Sequence, residues 1–250
     1  MTPYFSDQGL TLYLGDCREI VPALGFVADL IVTDPPYAST SLKWDRWPEG
    51  WVQVAASAAT SMWCFGSLRM FLDQRDEFAD WSLSQDVVWE KHNGSSLHND
   101  RFRRIHEQSA FFYRGKWGDV PTFPVYVNEA VKRTVRRKAK PHHHLNGSEK
   151  GSSFQSFDGG PKMATSIIYA SSMHGKSIHP TEKPVALLQP LIQYGCIAGG
   201  LVLDMFAGSG STLEAARLSG RRAIGIEANE EYIERAARRL SQRDLFDVIA

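Results

Sequence analysis

The sequence predicts a doubly wound α/β fold whose two halves are separated by an inserted basic region. At the C-terminal end, a strand, a glycine-rich turn, a helix, a strand and a helix follow one another, as in a mononucleotide-binding half. In the first third, short apolar strands alternate with helical stretches. Between about residues 116 and 178 this periodicity is lost. We therefore expect residues 1–115 and 179–250 to form one domain around an insertion at 116–178.

The composition is that of an ordinary globular protein. With 250 residues, 43% hydrophobic and 22% charged, the chain is neither disordered nor a disulfide scaffold. Its three cysteines lie far apart without CxxC spacing, which indicates a reducing compartment and speaks against a zinc cluster. We expect no metal site, because the adjacent side chains of His142–His144 do not converge easily on one ion. The sequence carries no recognisable signal peptide or membrane span, so a cytoplasmic location is expected.

Positive charge is concentrated in residues 101–150, although the net charge of the chain is zero. That window contains twelve lysines and arginines against four acidic residues, so it carries +8 while the remainder carries −8. Such asymmetry favours contact with a polyanion, whereas a solvated charged loop is the alternative. The densest stretch supplies the candidate nucleic-acid contacts, which are Lys132, Arg133, Arg136, Arg137, Lys138 and Lys140.

Apolar runs and turn residues mark the elements of the N-terminal half. A buried strand shows a nearly continuous apolar run, whereas a helix shows apolar residues every three to four positions. Strands are predicted at Leu10–Asp16, Ala28–Asp34, Met62–Gly66, Asp86–Lys91 and Ser109–Gly115, and helices at Arg18–Leu24, Pro48–Ala59 and Leu68–Phe78.

Clear start and stop residues mark the elements of the C-terminal half. Pro184 suits the start of a helix, Gly220 ends a second helix, and Asn229 caps the last one ahead of two glutamates. The other predicted elements are a helix at Val185–Tyr194 with a kink at Pro190, a strand at Leu201–Phe206, a helix at Thr212–Ser219 and a strand at Arg221–Glu227.

The tetrapeptide Asp34-Pro35-Pro36-Tyr37 ends a predicted buried strand, where doubly wound folds bind ligands. Its two prolines keep the loop extended and stiff. The Asp34 carboxylate and the Pro35 carbonyl can accept hydrogen bonds from an exocyclic amino group. The carboxylate also stabilises positive charge that grows on the nitrogen as it attacks a sulfonium methyl group. Tyr37 offers a flat face to a flipped-out base, so the pattern predicts methylation of a base amino group. Simple turn chemistry is the alternative.

A glycine-rich turn at Asp204–Thr212 is the candidate cofactor site. It lacks the lysine of a Walker loop, and Leu213 replaces the third glycine of a dinucleotide fingerprint. Glu227, at the end of the next predicted strand, can accept hydrogen bonds from ribose hydroxyls. This combination suits S-adenosylmethionine, although glycines needed only for helix packing would give the same pattern. The predicted contacts are Asp204, Phe206, Ala207, Gly208, Ser209, Gly210, Ser211, Thr212 and Glu227.

In these two motifs the sequence resembles the amino-group-specific DNA methyltransferases. Their catalytic motif, (D/N/S)PP(Y/F/W), is matched by Asp34 to Tyr37, and their DxFxGxG motif is matched by Asp204 to Gly210. The catalytic motif comes first here, which is similar to the circularly permuted, β-type order of a Rossmann-like methyltransferase sheet. The resemblance implies a catalytic half at 1–115, a target-recognition region at 116–178 and a cofactor-binding half at 179–250.

Three further positions take their expected roles from this resemblance. HPTEKP, at His179–Pro184, is similar to the family's segment before the cofactor strand, which implies that Thr181 and Lys183 border the methionine part of the cofactor. LGD places Asp16 where the family's acidic residue binds the cofactor adenine. Met205 replaces the usual proline, and we expect its side chain to face the core.

The resemblance also implies partners. It implies double-stranded DNA as the substrate, S-adenosylmethionine as the cofactor, no membrane contact and a role in restriction-modification. Relatives with this motif order are often dimers, so a homodimer is left open, as are a partner nuclease and the recognition sequence.

The first residue of the catalytic motif is Asp34, whereas serine is commoner at this position in the cytosine enzymes. Asp34 therefore favours adenine N6 over cytosine N4 as the methylated atom. The small residues Ala38 to Ser41 leave room for a purine beside Tyr37. Protein-glutamine and RNA amino methyltransferases are disfavoured, because their cofactor motif comes first. A non-catalytic DNA-binding protein with a degenerate methyltransferase domain is the remaining alternative, and the intact motifs speak against it.

Overall fold

The computed structural model describes residues 1–38, 45–91, 100, 102–127, 135–137, 154–156, 161–171 and 182–242. The strands are Phe5–Asp7 (β1), Leu10–Leu14 (β2), Leu30–Thr33 (β3), Ser61–Gly66 (β4), Ser82–Glu90 (β5), His106–Tyr113 (β6), Tyr126–Val127 (β7), Val135–Arg137 (β8), Phe154–Ser156 (β9), Lys162–Met163 (β10), Ile167–Tyr169 (β11), Leu201–Asp204 (β12) and Arg222–Glu227 (β13). The α-helices are Cys17–Leu24 (α1), Trp51–Ala58 (α2), Leu68–Asp73 (α3), Val185–Gly195 (α4), Ser211–Leu218 (α5) and Glu230–Ser241 (α6).

Nine of these strands form one sheet in the order β1, β2, β13, β12, β3, β4, β6, β5, β11. Its centre is parallel, because the five consecutive strands β2, β13, β12, β3 and β4 pair with one another in parallel. Strand β6 is antiparallel to both β4 and β5, and β1 is antiparallel to β2. The last two strands of the chain therefore lie in the middle of the sheet, between strands from the N-terminal half.

Helices cover both faces of this sheet, as a doubly wound fold requires. Successive side chains of a strand point to opposite faces. Accordingly, Leu30 and Val32 of β3 pack in one buried cluster with residues of α4, α5 and α6, such as Leu188. Ile31 packs in a second cluster with residues of α1, α2 and α3, such as Trp51. The nearly continuous apolar run of β3 reflects this burial on both sides.

Several element boundaries differ from the sequence prediction. The helix predicted at Pro48–Ala59 begins at Trp51, because Gly50 is its N-cap with a φ of 84°. The helix predicted at Leu68–Phe78 ends at Asp73, and the residues that follow form turns that carry the buried Phe78. Asn229 caps α6 as predicted, and its side chain accepts hydrogen bonds from the backbone of Glu231 and Tyr232. The side chain of Met205 is buried, as expected.

The described residues group into two compact units, 1–123 with 166–250, and 124–165. The smaller unit contains two antiparallel strand pairs, β7 with β10 and β8 with β9. Strand β11, which lies inside the region predicted as an insertion, pairs with β5 and belongs to the large sheet. A three-residue strand is too short to show a hydrophobic period, so the sequence did not reveal it.

Candidate active site

Three acidic residues mark the carboxyl edge of the parallel core. Asp34 directly follows β3, Asp204 is the last residue of β12, and Glu227 is the last residue of β13. Because β13, β12 and β3 are adjacent and parallel, their ends meet at one edge of the sheet. A cavity of about 450 Å³ lies at this edge. The catalytic motif and the glycine turn therefore contribute to the same cavity.

Most of the predicted site residues line this cavity, namely Asp16, Asp34, Pro35, Pro36, Tyr37, Lys183, Asp204, Phe206, Ala207, Gly208, Ser209, Ser211, Thr212 and Glu227. Gly210 is instead the N-cap of α5, with a φ of 77°. A Cβ there would come within 3.2 Å of the Ala236 Cβ, so this glycine permits close packing of α5 against α6. Thr181 lies outside the described residues.

Two donors hold the Asp34 carboxylate. The hydroxyl of Tyr37 donates a hydrogen bond to its Oδ1, and the Lys183 ammonium forms a salt bridge with its Oδ2. At the end of the loop, Ala38 has a positive φ of 55°, and its backbone N–H donates to Asp45 Oδ1 over 2.8 Å. Asp45 is buried and also lines the cavity, yet its role was not evident from sequence. These contacts fix both ends of the predicted catalytic loop.

Burial and charge act in opposite directions on the groups at the catalytic motif. Burial raises the pKa of Asp34, against the opposing effect of the Lys183 charge. Burial by itself would lower the pKa of Lys183, but the nearby carboxylates more than offset this, so the pKa of Lys183 is raised. Burial raises the pKa of Tyr37 well above its usual value. Lys183 therefore stays an ammonium ion, and Tyr37 stays a hydrogen-bond donor.

Sequence reasoning missed two charged residues beside this site. Glu107 lies on β6 and lines the cavity, and its Oε2 is 3.3 Å from Lys183 Nζ. Lys91 follows β5 and forms a salt bridge with Glu107 Oε1. Burial would raise the pKa of Glu107, but Lys183 and Lys91 outweigh it and lower that pKa. In the sequence, Glu107 counted only as one of four acids in a basic window, which gave no signal of its position.

Asp204 anchors the glycine turn to the neighbouring strand. Its Oδ1 accepts hydrogen bonds from Thr33 Oγ1 over 3.0 Å and from the Phe206 backbone N–H over 3.1 Å. The residue is almost fully buried, and this burial raises the pKa of Asp204 to about 6. Its carboxyl group therefore joins the end of β3 to the turn that follows β12.

Glu227 is held by the backbone at both oxygens. The Gly208 N–H donates to Oε2 and the Asn229 N–H donates to Oε1, each over 2.8 Å. Burial raises the pKa of Glu227, while these backbone donors oppose the shift. Each carboxylate oxygen can accept more than one hydrogen bond, so the group can still receive donors from a ligand in the cavity.

Asp16 lines the cavity and also caps α1. Its side chain accepts a hydrogen bond from the Arg18 backbone N–H over 2.8 Å and pairs with the Arg18 guanidinium at 2.5 Å. The hydrogen bond from the Arg18 side chain lowers the pKa of Asp16. Asp16 therefore remains ionised at the mouth of the cavity.

Most of the predicted nucleic-acid contacts fall outside the described part of the chain. Lys132, Arg133, Lys138 and Lys140 are not described, whereas Arg136 and Arg137 lie in β8. Within the described ranges, no helix is long and apolar enough to cross a membrane.

The chain is similar to a number of known proteins, including two relatives and one solved structure. A stretch of 67 residues, 27% of this chain, is 55% identical to YubD of Escherichia coli (strain K12) but spans only 30% of that protein. Over 267 positions the chain is 26% identical to the type II methyltransferase M.HinfI of Haemophilus influenzae, covering 93% of this chain and 68% of M.HinfI. The crystal structure of the M1.HpyAVI–SAM complex has the same fold, with a TM-score of 0.63, 24% identity, and coverage of 93% of this chain and 100% of that one.

The family evidence covers most of the chain. The model of the family N6_N4_Mtase, described as DNA methylase, matches residues 28–238, which include both the catalytic motif and the glycine turn. With well over half of its 250 residues matched, the chain belongs to the N6_N4_Mtase family of DNA methylases.

Proposed function

We propose that this protein methylates the N6 amino group of adenine in double-stranded DNA, with S-adenosylmethionine as the methyl donor. One observation carries the proposal: the Asp34 carboxylate and the glycine turn at 204–212 line a single cavity. A residue that can accept a hydrogen bond from an amino group thus lies in the same cavity as the turn proposed to bind the cofactor. The likeness to the type II methyltransferase M.HinfI and to the SAM-bound M1.HpyAVI supports methyl transfer from S-adenosylmethionine, whereas the choice of adenine rests on the sequence.

The cavity residues fit S-adenosylmethionine. A volume of about 450 Å³ lies within the usual range of ligand sites, roughly 300–1,000 Å³. Glu227 and Asp16 would accept hydrogen bonds from the cofactor's ribose and adenine, and the backbone of the turn would allow its close approach. When bound, the cofactor supplies a methyl group on a positively charged sulfur. No lysine follows the glycine turn in the sequence, as one does in phosphate-binding loops. This agrees with a ligand that lacks phosphates.

Asp34 is the proposed hydrogen-bond acceptor for the target amino group. Its carboxylate accepts a hydrogen bond from the target amino group and stabilises the positive charge that grows on the nitrogen during attack. The Tyr37 hydroxyl orients the carboxylate by donating to Oδ1, and its ring provides area against which a flipped base stacks. The stiff Pro35-Pro36 unit holds the Pro35 carbonyl as a second acceptor. Because these groups are fixed before the base arrives, little reorganisation accompanies the reaction.

Cytosine N4 is the alternative acceptor, since both bases present an amino group that Asp34 can hold. Adenine is favoured by the stacking area of Tyr37 and by the small Ala38 beside it. The test is to methylate unmodified genomic DNA with labelled S-adenosylmethionine, digest it, and separate the nucleosides by chromatography. We expect the label in N6-methyl-2′-deoxyadenosine. Label chiefly in methyl-2′-deoxycytidine would refute the adenine assignment and leave the amino-methyltransferase chemistry intact.

Residues 116–178 are proposed as the target-recognition region, and the basic run Lys132–Lys140 as a phosphate contact. A non-catalytic DNA-binding protein would share this feature but would not turn over the cofactor. Calorimetric titration with S-adenosylmethionine separates the two possibilities, because a degenerate domain gives no binding heat.

A further inference from the structure

Four charged side chains of alternating sign follow one another beside the cavity, and three of them, Asp34, Lys183 and Glu107, line it. Asp34 pairs with Lys183, Lys183 lies near Glu107, and Glu107 pairs with Lys91. The four residues come from distant parts of the sequence, yet their charges sum to zero. Such a balanced arrangement allows a charge to change partner without leaving any buried ion unpaired.

The two oxygens of Glu107 differ in their contacts. Oε1 accepts from the Lys91 ammonium. Oε2 is buried and receives no hydrogen bond from any residue that the structure describes, although Lys183 Nζ lies 3.3 Å away. A charged N–H···O bond is normally about 2.7–2.9 Å long. Oε2 therefore makes only a long ion pair with Lys183, which becomes a charged hydrogen bond if the ammonium moves about half an ångström.

Both oxygens of the Asp34 carboxylate, in contrast, already hold a donor. Its Oδ1 accepts from Tyr37, and its Oδ2 accepts from Lys183. Each oxygen can accept a second hydrogen bond, so a target amino group can bind Asp34 beside these donors. The position of Lys183 then matters most, because positive charge grows on the attacked nitrogen and is repelled by an ammonium ion held at the same carboxylate.

We propose that Glu107 is a positioning residue that takes over the Lys183 ammonium when the target amino group binds Asp34. This inference rests on the proposed amino-methyltransferase function and assigns a role that the sequence motifs do not. Glu107 acts through Lys183 and does not touch the base. Lys183 keeps a carboxylate partner throughout, while Asp34 is released for the reacting nitrogen.

The variant Glu107→Gln removes the charge and keeps the shape. Of the two carboxylates that form salt bridges with Lys183, Asp34 then remains, so we expect kcat to fall roughly 10-fold to 100-fold, the range for a reacting group held slightly out of place. The dissociation constant of S-adenosylmethionine, measured by calorimetry, should change by less than about twofold. The kcat is measured with tritiated cofactor and saturating unmethylated genomic DNA.

The pH profile distinguishes positioning from a merely structural role. Asp34 and Glu107 together raise the pKa of Lys183, so removing the Glu107 charge lowers that pKa. As the pH rises, Lys183 of the Gln variant becomes neutral first and releases Asp34. The kcat of Glu107→Gln should therefore recover toward that of the wild type at alkaline pH, and a deficit that is constant with pH contradicts the proposal.

Two further comparisons complete the test. The control variant is Glu90→Gln, because Glu90 is an exposed residue at the end of β5. This substitution should leave kcat unchanged. In a Lys183→Met background, adding Glu107→Gln should lower kcat much less than it does in the wild type, because the group through which it acts is absent. An equal loss in both backgrounds overturns the proposal.

If Glu107→Gln does not fold, Glu107→Asp is measured in its place. It keeps the charge on a side chain one methylene shorter, so we expect a reduced kcat with the pH dependence of the wild type. An unchanged kcat would contradict a role that depends on reach. If the wild-type protein transfers no methyl group to DNA, the proposed function itself fails, whereas an active wild type with a fully active Glu107→Gln refutes only the role of Glu107.

Discussion

At the scale of single residues, the site depends on carboxyl groups whose surroundings differ. Asp34 is partly buried and faces a cation, Asp204 is buried among neutral donors, and Glu227 is held by backbone N–H groups. A nearby cation favours the charged form of a buried carboxyl group, whereas burial without a cation disfavours it. Each carboxyl group therefore has its own expected response to substitution or to pH.

Replacing Asp34 by alanine should lower the methyl-transfer rate at least about 100-fold, because one preorganised transition-state hydrogen bond is lost. Cofactor binding should persist, since Asp34 is not among the predicted cofactor contacts. Single-turnover transfer of labelled methyl groups to DNA measures the rate, and calorimetry measures binding. Asp76→Ala, a substitution of a highly exposed aspartate, is the matched control. Near wild-type transfer by Asp34→Ala would show that the catalytic assignment is wrong.

Asp204 should make stability depend on pH. Burial raises its pKa from 3.8 to about 6 in the folded protein, so the unfolded chain loses this proton at a lower pH. The contribution of this group to stability therefore falls as the pH rises through about 6. Relative to Asp204→Asn, the wild type should lose about 1–2 kcal/mol of unfolding free energy between pH 5 and pH 8. Urea denaturation of both proteins measures this, and a difference that does not vary with pH would refute it.

At the scale of elements, α6 holds together two walls of the cavity. Its Arg239 contacts Glu182 at 2.6 Å, Ser211 Oγ at 3.1 Å, and the carboxylate of Glu214. Glu182 precedes Lys183 in the chain, and Ser211 begins α5 next to the glycine turn. One guanidinium thus ties the segment that carries Lys183 to the helix that follows the turn.

Arg239→Met should destabilise the protein by about 3 kcal/mol, because Glu182 and Glu214 would lose their shared cation in a largely buried place. Arg238→Met is a matched control on the same helix. Arg238 pairs with Glu234 on the surface, with its side chain 75% exposed, and such pairs contribute at most about 1 kcal/mol. Urea denaturation curves of the two variants are to be compared, and equal losses would contradict a structural role for the Arg239 cluster.

At the scale of the whole molecule, charge is separated along the chain. Residues 101–150 carry +8 and the remainder carries −8, so a polyanion is attracted to one region and repelled elsewhere. The proposed division of labour follows from this: the sheet provides the chemistry, and the basic region provides affinity for DNA. Phosphate contacts fix the position of a protein on the duplex but carry no direct sequence information.

Neutralising Arg133, Arg136, Arg137 and Lys138 together should weaken DNA binding and reduce its salt dependence. Each phosphate contact contributes a slope of about −0.9 in log K against log salt concentration. Fluorescence anisotropy with a labelled duplex at several salt concentrations measures both effects. Site preference should suffer less than affinity. Unchanged affinity and slope would return this run to the interpretation as a solvated loop.

Local patterns determined much of the fold and one half of the site. The apolar run of β3 and the two prolines after it located the proposed catalytic loop, because adjacent residues show both the burial of the strand on two faces and the loss of backbone donors. The glycine turn and the Asn229 cap located α5 and α6 for the same reason. The first residue of a helix was predicted less accurately where a single residue set it, as Gly50 does for α2.

Only the tertiary structure decided which distant residues meet. Strand order placed β12 beside β3 and β6 beside β4, and it thereby brought Lys183, Glu107 and Lys91 to Asp34. Lys183 and Asp34 are 149 positions apart, and no local period relates them. A charged residue has the same local sequence signal whether it faces solvent or a buried partner. Its role therefore became visible only when the pairing of strands fixed its neighbours.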